Sequence, residues 1–340
     1  MKTSKIKFFR TALALPVALA CGLAATLKAQ NLYIANSGTI IGEYSALGAT
    51  VNSNQITGLS NPTFMAISGN DLFVANENNN SVGEYTLSGQ TVNASLISGL
   101  DGPAGVAVSG TNLFVANNES GTIGKYTTSG AAISASLITG LNSPIDIAIS
   151  GTNLFVAIGP GVGQYSTSGL KINASLISGL NGPFGIAVVG TNLFVSNPSK
   201  NTIGEYTTSG TTVNASLISG LDEPFDLAVS GTNLYVSNYG GSTIGQYSTS
   251  GATINASLIS GLSEPWGIAI VPPPQLNIAP GANQSVVYYP WPTPVTGYIL
   301  QSTTNLASTN WVTVTNGVPV IGVAVTNNSP ALFFRLAPAP

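Results

Sequence analysis

The chain has no histidine and a single cysteine in 340 residues. It therefore lacks the commonest general base, the commonest zinc ligand and any cysteine metal cluster. A Ser/His/Asp nucleophile cannot be assembled from it, and its glycine-rich loops lack the lysine and helix that a phosphate cradle needs. Carboxylates and aromatic rings are what remain for chemistry. Asp146 and Asp226 precede the similar runs Ile-Ala-Ile and Leu-Ala-Val, while Phe184, Phe225 and Trp266 each follow a proline. Two converging carboxylates can act as ligands for a divalent cation such as calcium, a hard ion that takes about six oxygens. Asn61, Asn142 and Asn181 lie further out in the same loops and would assist.

What positions these residues is a repeat. Asn-Leu-(Phe/Tyr)-(Val/Ile)-(Ala/Ser) recurs with its leucine at Leu32, Leu72, Leu113, Leu154, Leu193 and Leu234, with Asp71 opening the second copy. Each unit of ~40 residues holds four short β-type runs separated by Gly, Pro, Asn and Ser turn chemistry, the pattern of a propeller blade. In the fifth unit the runs are 184–189, 192–196, 202–207 and 215–219. The innermost run carries apolar residues on both faces, with a small alanine at 66, 107, 148, 187, 228 and 269. Such a strand is covered on both sides, as in sheets crowded around an axis. The first unit begins at its second strand, and the missing inner strand stands at the far end, Trp266 to Val271. The expected fold is all-β: a six-bladed β-propeller over residues 31–271 with 1+3 strand closure, which removes open ring edges.

The motifs Pro-x-Gly-Ile-Ala-Val, Asn-Leu-Phe-Val-Ala-Asn and Thr-Ile-Gly-Glu-Tyr resemble the NHL-repeat class of six-bladed propellers, within the wider TolB-like and YVTN-like group. Asn36, Asn76, Asn117, Asn197 and Asn238 stand where that class often has Asp, and Ile158 departs from the pattern. The resemblance covers about 240 residues. It implies a fold that serves binders, scaffolds and a few enzymes, so function has to be argued from the site.

Composition sets further bounds. With 44% hydrophobic and only 6% charged residues, the chain is neither a disordered solvating segment nor a helical bundle with charged faces. Residues 1–29 read as a signal peptide: Lys2, Lys5, Lys7 and Arg10 precede an apolar run from Ala12 to Ala25, too short for a membrane span. Cys21 sits in only a loose lipoprotein-like context. Cleavage after Ala29 leaves four basic residues against all twelve acids, which argues against a nucleic-acid partner and for a secreted, periplasmic or cell-surface protein with no integral span. Residues 272–275 form a Pro-rich linker, and 276–340 read as a small β-sandwich-like module resembling fibronectin or immunoglobulin domains, either packing on the propeller or attaching and sorting it.

In a four-stranded blade the loop after the second strand and the loop before the first share one end. There the copies vary in length and chemistry, whereas the Ser-Gly-Thr-Asn and Thr-Ser-Gly-Thr loops at the other end are monotonous. Variable loops on a rigid scaffold are where binding sites usually lie. Eight acids, Glu77, Asp101, Glu119, Asp146, Asp222, Glu223, Asp226 and Glu264, map to that end, with Lys200 as its sole base. Glu43, Glu84 and Glu205 are expected to be solvated outer-blade residues. Asn-Ala-Ser at 93, 173, 214 and 255 matches a glycosylation acceptor but reads as repeat consensus before a strand. Two functions follow as expectations. One is a non-catalytic binding or scaffold protein that takes a protein, glycan or cationic ligand on the acidic face. The other is a metal-dependent lactonase-like or lyase-like enzyme using Asp146 and Asp226.

Overall fold

In the computed structural model the described residues are 30–36 and 38–271, together with the backbone of six short strands between 277 and 338. The leader 1–29, with Cys21, and the linker 272–275 lie outside the described residues.

Residues 31–271 form a six-bladed β-propeller of four-stranded antiparallel sheets. Blade 1 is Ile268–Ile270 followed by Asn31–Asn36, Ile40–Ser45 and Thr50–Ile56; blades 2 to 6 span 62–98, 103–138, 147–178, 186–219 and 224–259. Blade 1 is thus closed by the far end of the ring. Leu32, Tyr33 and Ile34 face Ile270, Ala269 and Ile268, and Trp266 N donates to Ala35 O at 2.9 Å.

The repeat dictates the packing. In every blade the small inner-strand alanine lies opposite the largest ring of the second strand: Ala66 opposite Phe73, Ala107 opposite Phe114, Ala148 opposite Phe155, Ala187 opposite Phe194, Ala228 opposite Tyr235 and Ala269 opposite Tyr33. The second strands are buried along their length, and each apolar cluster is shared by two neighbouring blades. Burying such a side chain contributes about 1.5–3 kcal/mol, so the core lies between the blades and the ring is held by neighbour contacts.

Sheets covered on both faces also overturn one expectation. Glu43 and Glu205 are buried and Glu84 half-buried, where solvated residues were expected. Glu43 accepts from the Tyr33 hydroxyl at 3.0 Å, and Glu205 accepts from Asn192 Nδ2 at 2.8 Å. Each lies opposite an aromatic residue of its own blade, Tyr33 or Phe194.

The outer strand is longer than the sequence suggests, Thr212–Ser219 in blade 5, and it is bulged against the third strand in every blade. The Asn-Ala-Ser repeat has its reason there. Asn93, Asn173, Asn214 and Asn255 accept the backbone N–H two residues on through Oδ1, at 3.0–3.1 Å. These bonds satisfy donors on edges whose only charge is Lys171 and which would otherwise invite pairing with another chain.

The residues described beyond 276 form two three-stranded antiparallel sheets. Ser285–Tyr288 pairs with Asn277–Pro280 and Val323–Val325, and Tyr298–Thr303 pairs with Val312–Thr313 and Phe333–Pro338. No helix among the described residues is long and apolar enough to cross a membrane.

Candidate functional site

The loops after the second strands and before the first strands meet at one end of the ring. Glu77 N donates to Asn61 O, Asn118 N to Gly102 O, Gly159 N to Asn142 O and Tyr239 N to Glu223 O, at 2.8–3.1 Å. This end holds three separate groups of site residues.

On blades 5, 6 and 1 the rings of Phe184, Phe225, Tyr239 and Trp266 come together. Phe225 is stacked between Phe184 at 4.6 Å and Tyr239 at 4.2 Å. Trp266 meets Phe225 and Tyr239 edge-on at 4.9 and 5.9 Å. All four are half-buried, so part of this apolar surface faces water. Such pairs contribute about 0.5–1.5 kcal/mol beyond their area.

The backbone under the rings is fixed from below. At the penultimate position of the second strand blades 1 to 4 carry Ala35, Ala75, Ala116 and Ala157, whereas blades 5 and 6 carry Ser196 and Ser237, both fully buried. Ser196 Oγ donates to Phe225 O at 2.6 Å and accepts from Gly185 N at 2.8 Å. Ser237 Oγ donates to Trp266 O at 2.6 Å and accepts from Asp226 N at 2.8 Å. The two serines sit beneath two of the ring-bearing residues. Neither serine nor Tyr239 was among the residues expected at the site. The signal for the serines was their departure from the repeat's alanine, and for Tyr239 its place directly after Asn238.

Carboxylates border the cluster. A side chain at Gly240 would meet Asp222 Oδ1 at 2.7 Å and Glu223 Oε2 at 3.4 Å, so both acids lie over this glycine. The Tyr239 hydroxyl pKa is raised by burial and by the nearby carboxylates of Glu264 and Glu223. The residue before the repeating proline is left-handed in every blade: Gly102 and Gly182 in two, Asn61, Ser143, Glu223 and Glu264 in the others, with φ of +49° at Glu223 and +47° at Glu264. Left-handed backbone costs a residue with a Cβ about 1–2 kcal/mol, and it is Gly or Asn that relieves it.

The second group is on blades 2 and 3. Glu77 accepts from Asn61 Nδ2 at 2.6 Å, and burial raises its pKa, the Asn61 bond lowers it and the Glu119 charge raises it. Glu119 packs over Gly102. No aromatic pairing accompanies these two acids among the described residues.

Asp146 and Asp226 occupy one position of the inner loops, which around the ring reads Phe64, Gly105, Asp146, Gly185, Asp226, Gly267. Both are buried. Each reaches over the next glycine to the following blade. Asp146 accepts from Ile147 N at 2.8 Å and Ile186 N at 2.9 Å, and Asp226 from Leu227 N and Ile268 N at 2.7 Å. A Cβ at Gly185 would lie 2.8 Å from Asp226 Cα, and one at Gly105 would lie 2.8 Å from Asp146 Cα, so the glycines permit this close approach rather than opening a cavity. Burial raises the Asp146 pKa to about 6 against its two backbone bonds; burial and the Asp146 charge raise that of Asp226. These carboxylates do not fit a hard-cation site. Their oxygens already take four N–H donors, the other ring positions supply glycine and phenylalanine, and among the described residues no group of three or more acidic, His or Cys side chains is placed to hold a metal. Their evident work is to staple blade 4 to blade 5 and blade 6 to the closing strand.

No protein-family model and no curated protein matches the sequence. Solved structures do resemble the fold. A nidogen/laminin complex aligns with TM-score 0.64 and 16% identity over 71% of this chain and 98% of the other. A catalytically inactive virginiamycin B lyase from Staphylococcus aureus with quinupristin aligns with TM-score 0.51 and 17% identity over 78% and 94%. A gluconolactonase from Xanthomonas campestris aligns with TM-score 0.51 and 16% identity over 67% and 82%. At these identities the likeness shows the six-bladed architecture, shared by binding and catalytic proteins alike.

Proposed function

We propose that the protein is an exported, non-catalytic binding or scaffold propeller of the NHL-like kind that holds a protein or glycan ligand on the face with the variable loops. The observation that carries this reading is the four-ring cluster at that face, partly open to water and set on a backbone that two buried serines tie down. The basic and apolar residues of 1–29 support export, and the strands beyond 276 support an immunoglobulin- or fibronectin-like module that attaches or sorts the protein. A metal-dependent lactonase-like or lyase-like reaction is the competing reading, and the oxygen donors around Asp146 and Asp226 do not favour it.

The test is a glycan and peptide array probed with the chain lacking residues 1–29, with and without calcium, beside a variant carrying Phe225→Ala and Trp266→Ala. The expected result is array binding by the parent that the variant loses. Binding that survives in the variant overturns the reading. So does a metal-dependent lactone hydrolysis that disappears with Asp146→Asn and Asp226→Asn.

A further inference from the structure

We propose that the aromatic cluster on blades 5, 6 and 1, with Glu223 and Glu264 at its border, binds a cationic peptide segment bearing arginine or lysine side chains. This rests on the binding reading above and narrows it to a ligand class.

Three observations converge on that chemistry. Phe184, Phe225, Tyr239 and Trp266 form one half-open apolar surface. Aromatic rings attract guanidinium and ammonium groups through their quadrupole, and the attraction grows as the cation is desolvated. The border supplies the matching charge: Asp222 and Glu223 lie over Gly240, and the charge of Glu264 acts on the Tyr239 hydroxyl. The four bases left after residue 29 are Lys125, Lys171, Lys200 and Arg335, of which only Lys200 belongs to this end of the ring. A neutral sugar ring also stacks on aromatics and its hydroxyls can donate to carboxylates, but it carries no charge to offset the acidic border. A cationic side chain gains from the rings and the carboxylates together.

The backbone supports the same choice. Glu223 and Glu264 occupy left-handed positions that two other blades fill with glycine, and both fall on the blades that carry Phe225 and Trp266. Strain kept at particular residues points to a role for their side chains. Stability and binding are therefore opposed at these two positions, which gives the proposal a signature that a purely structural acid lacks.

The experiment uses the chain lacking residues 1–29 and a fluorescent hexapeptide of alternating glycine and arginine, with glutamate replacing arginine in a control peptide. The parent should bind the arginine peptide and not the control, and affinity should fall as salt rises from low to physiological strength, where the screening length is about 8 Å. The variant carrying Glu223→Gly and Glu264→Gly should melt about 2–4 °C higher per substitution, by the usual conversion for a domain of this size. It should also lose about tenfold or more in affinity for the arginine peptide. Phe225→Ala should weaken binding to a similar degree. No binding of the arginine peptide, equal binding of both peptides, or unchanged affinity in the glycine variant overturns the proposal. If the arginine peptide fails while array glycans bind the parent and not the Phe225→Ala, Trp266→Ala variant, this inference falls and the binding face stands.

Discussion

Deleting residues 265–340 should abolish the cooperative melt of the propeller, whereas deleting only 275–340 should leave it in place. The longer deletion removes the whole inner strand of blade 1. Ile268 and Ala269 are buried, and losing Ile268 alone forfeits about 1.5–3 kcal/mol of burial. The strand Asn31–Asn36 loses its inner partner, leaving the backbone groups of Leu32 to Ala35 that faced it unpaired in the interior, at about 1–3 kcal/mol each. The Asp226 bond to Ile268 N disappears with them, leaving a buried carboxylate short of a donor. Against a typical stability of about 5–15 kcal/mol, these losses are enough to open the ring. Calorimetry of the two truncations decides the matter. An unchanged sharp transition after the longer deletion would show that the terminal strand does not close the ring.

Raising the pH from 4 to 8 should lower the melting temperature, with the Asp146 share of the change falling between about pH 4 and pH 6. The Asp146 carboxyl titrates at about 6 in the folded chain because it is buried, and Asp226 is raised further in the same direction; in the unfolded chain both titrate near 3.9. Below pH 4 both states are protonated and the contribution is fully present. As pH rises the unfolded chain releases its protons first, so the folded state loses stability until its own carboxyls ionise. For Asp146 alone the swing is about 3 kcal/mol, at 1.36 kcal/mol per pKa unit. Asp71, Glu77 and Glu84 are raised by burial too and add to the same slope. The variant carrying Asp146→Asn and Asp226→Asn keeps one acceptor oxygen per side chain, so it should fold with a modest loss at pH 4 and show a much flatter pH dependence. A melting temperature that climbs from pH 4 to pH 7, or the same slope in the double variant, contradicts the assignment.

The ring was legible because the repeat constrains it everywhere. The leucines at ~40-residue spacing, the small alanine of the inner strand and the displaced terminal strand each follow from period and polarity alone. Phe184, Phe225 and Trp266 were legible as residues after a repeated proline. Tyr239 was legible only as part of a variable loop at that end and not as a member of the cluster, because its loop has no fixed length from blade to blade. Asp146 and Asp226 were located correctly on the inner loops, but the direction of their carboxylates depends on inter-blade register. A carboxylate that takes one N–H of its own blade and one of the neighbouring blade looks, in sequence, the same as one that faces a channel. Glu43 and Glu205 were misjudged for a related reason: a charged residue shared with Lys125 and Gln164 at one strand position reads as solvated until the aromatic residue opposite it is in place.

Tryptophan fluorescence gives the most direct test that ligand is held on the aromatic face. The chain has three tryptophans, and Trp291→Phe with Trp311→Phe leaves Trp266 as the single emitter, placed against Phe225 and Tyr239. Titrating this variant with the arginine hexapeptide should produce a saturable change in Trp266 emission whose midpoint matches the affinity measured by calorimetry and whose amplitude vanishes at high salt. Calorimetric binding with no change in Trp266 emission would place the ligand elsewhere on the ring and contradict the account.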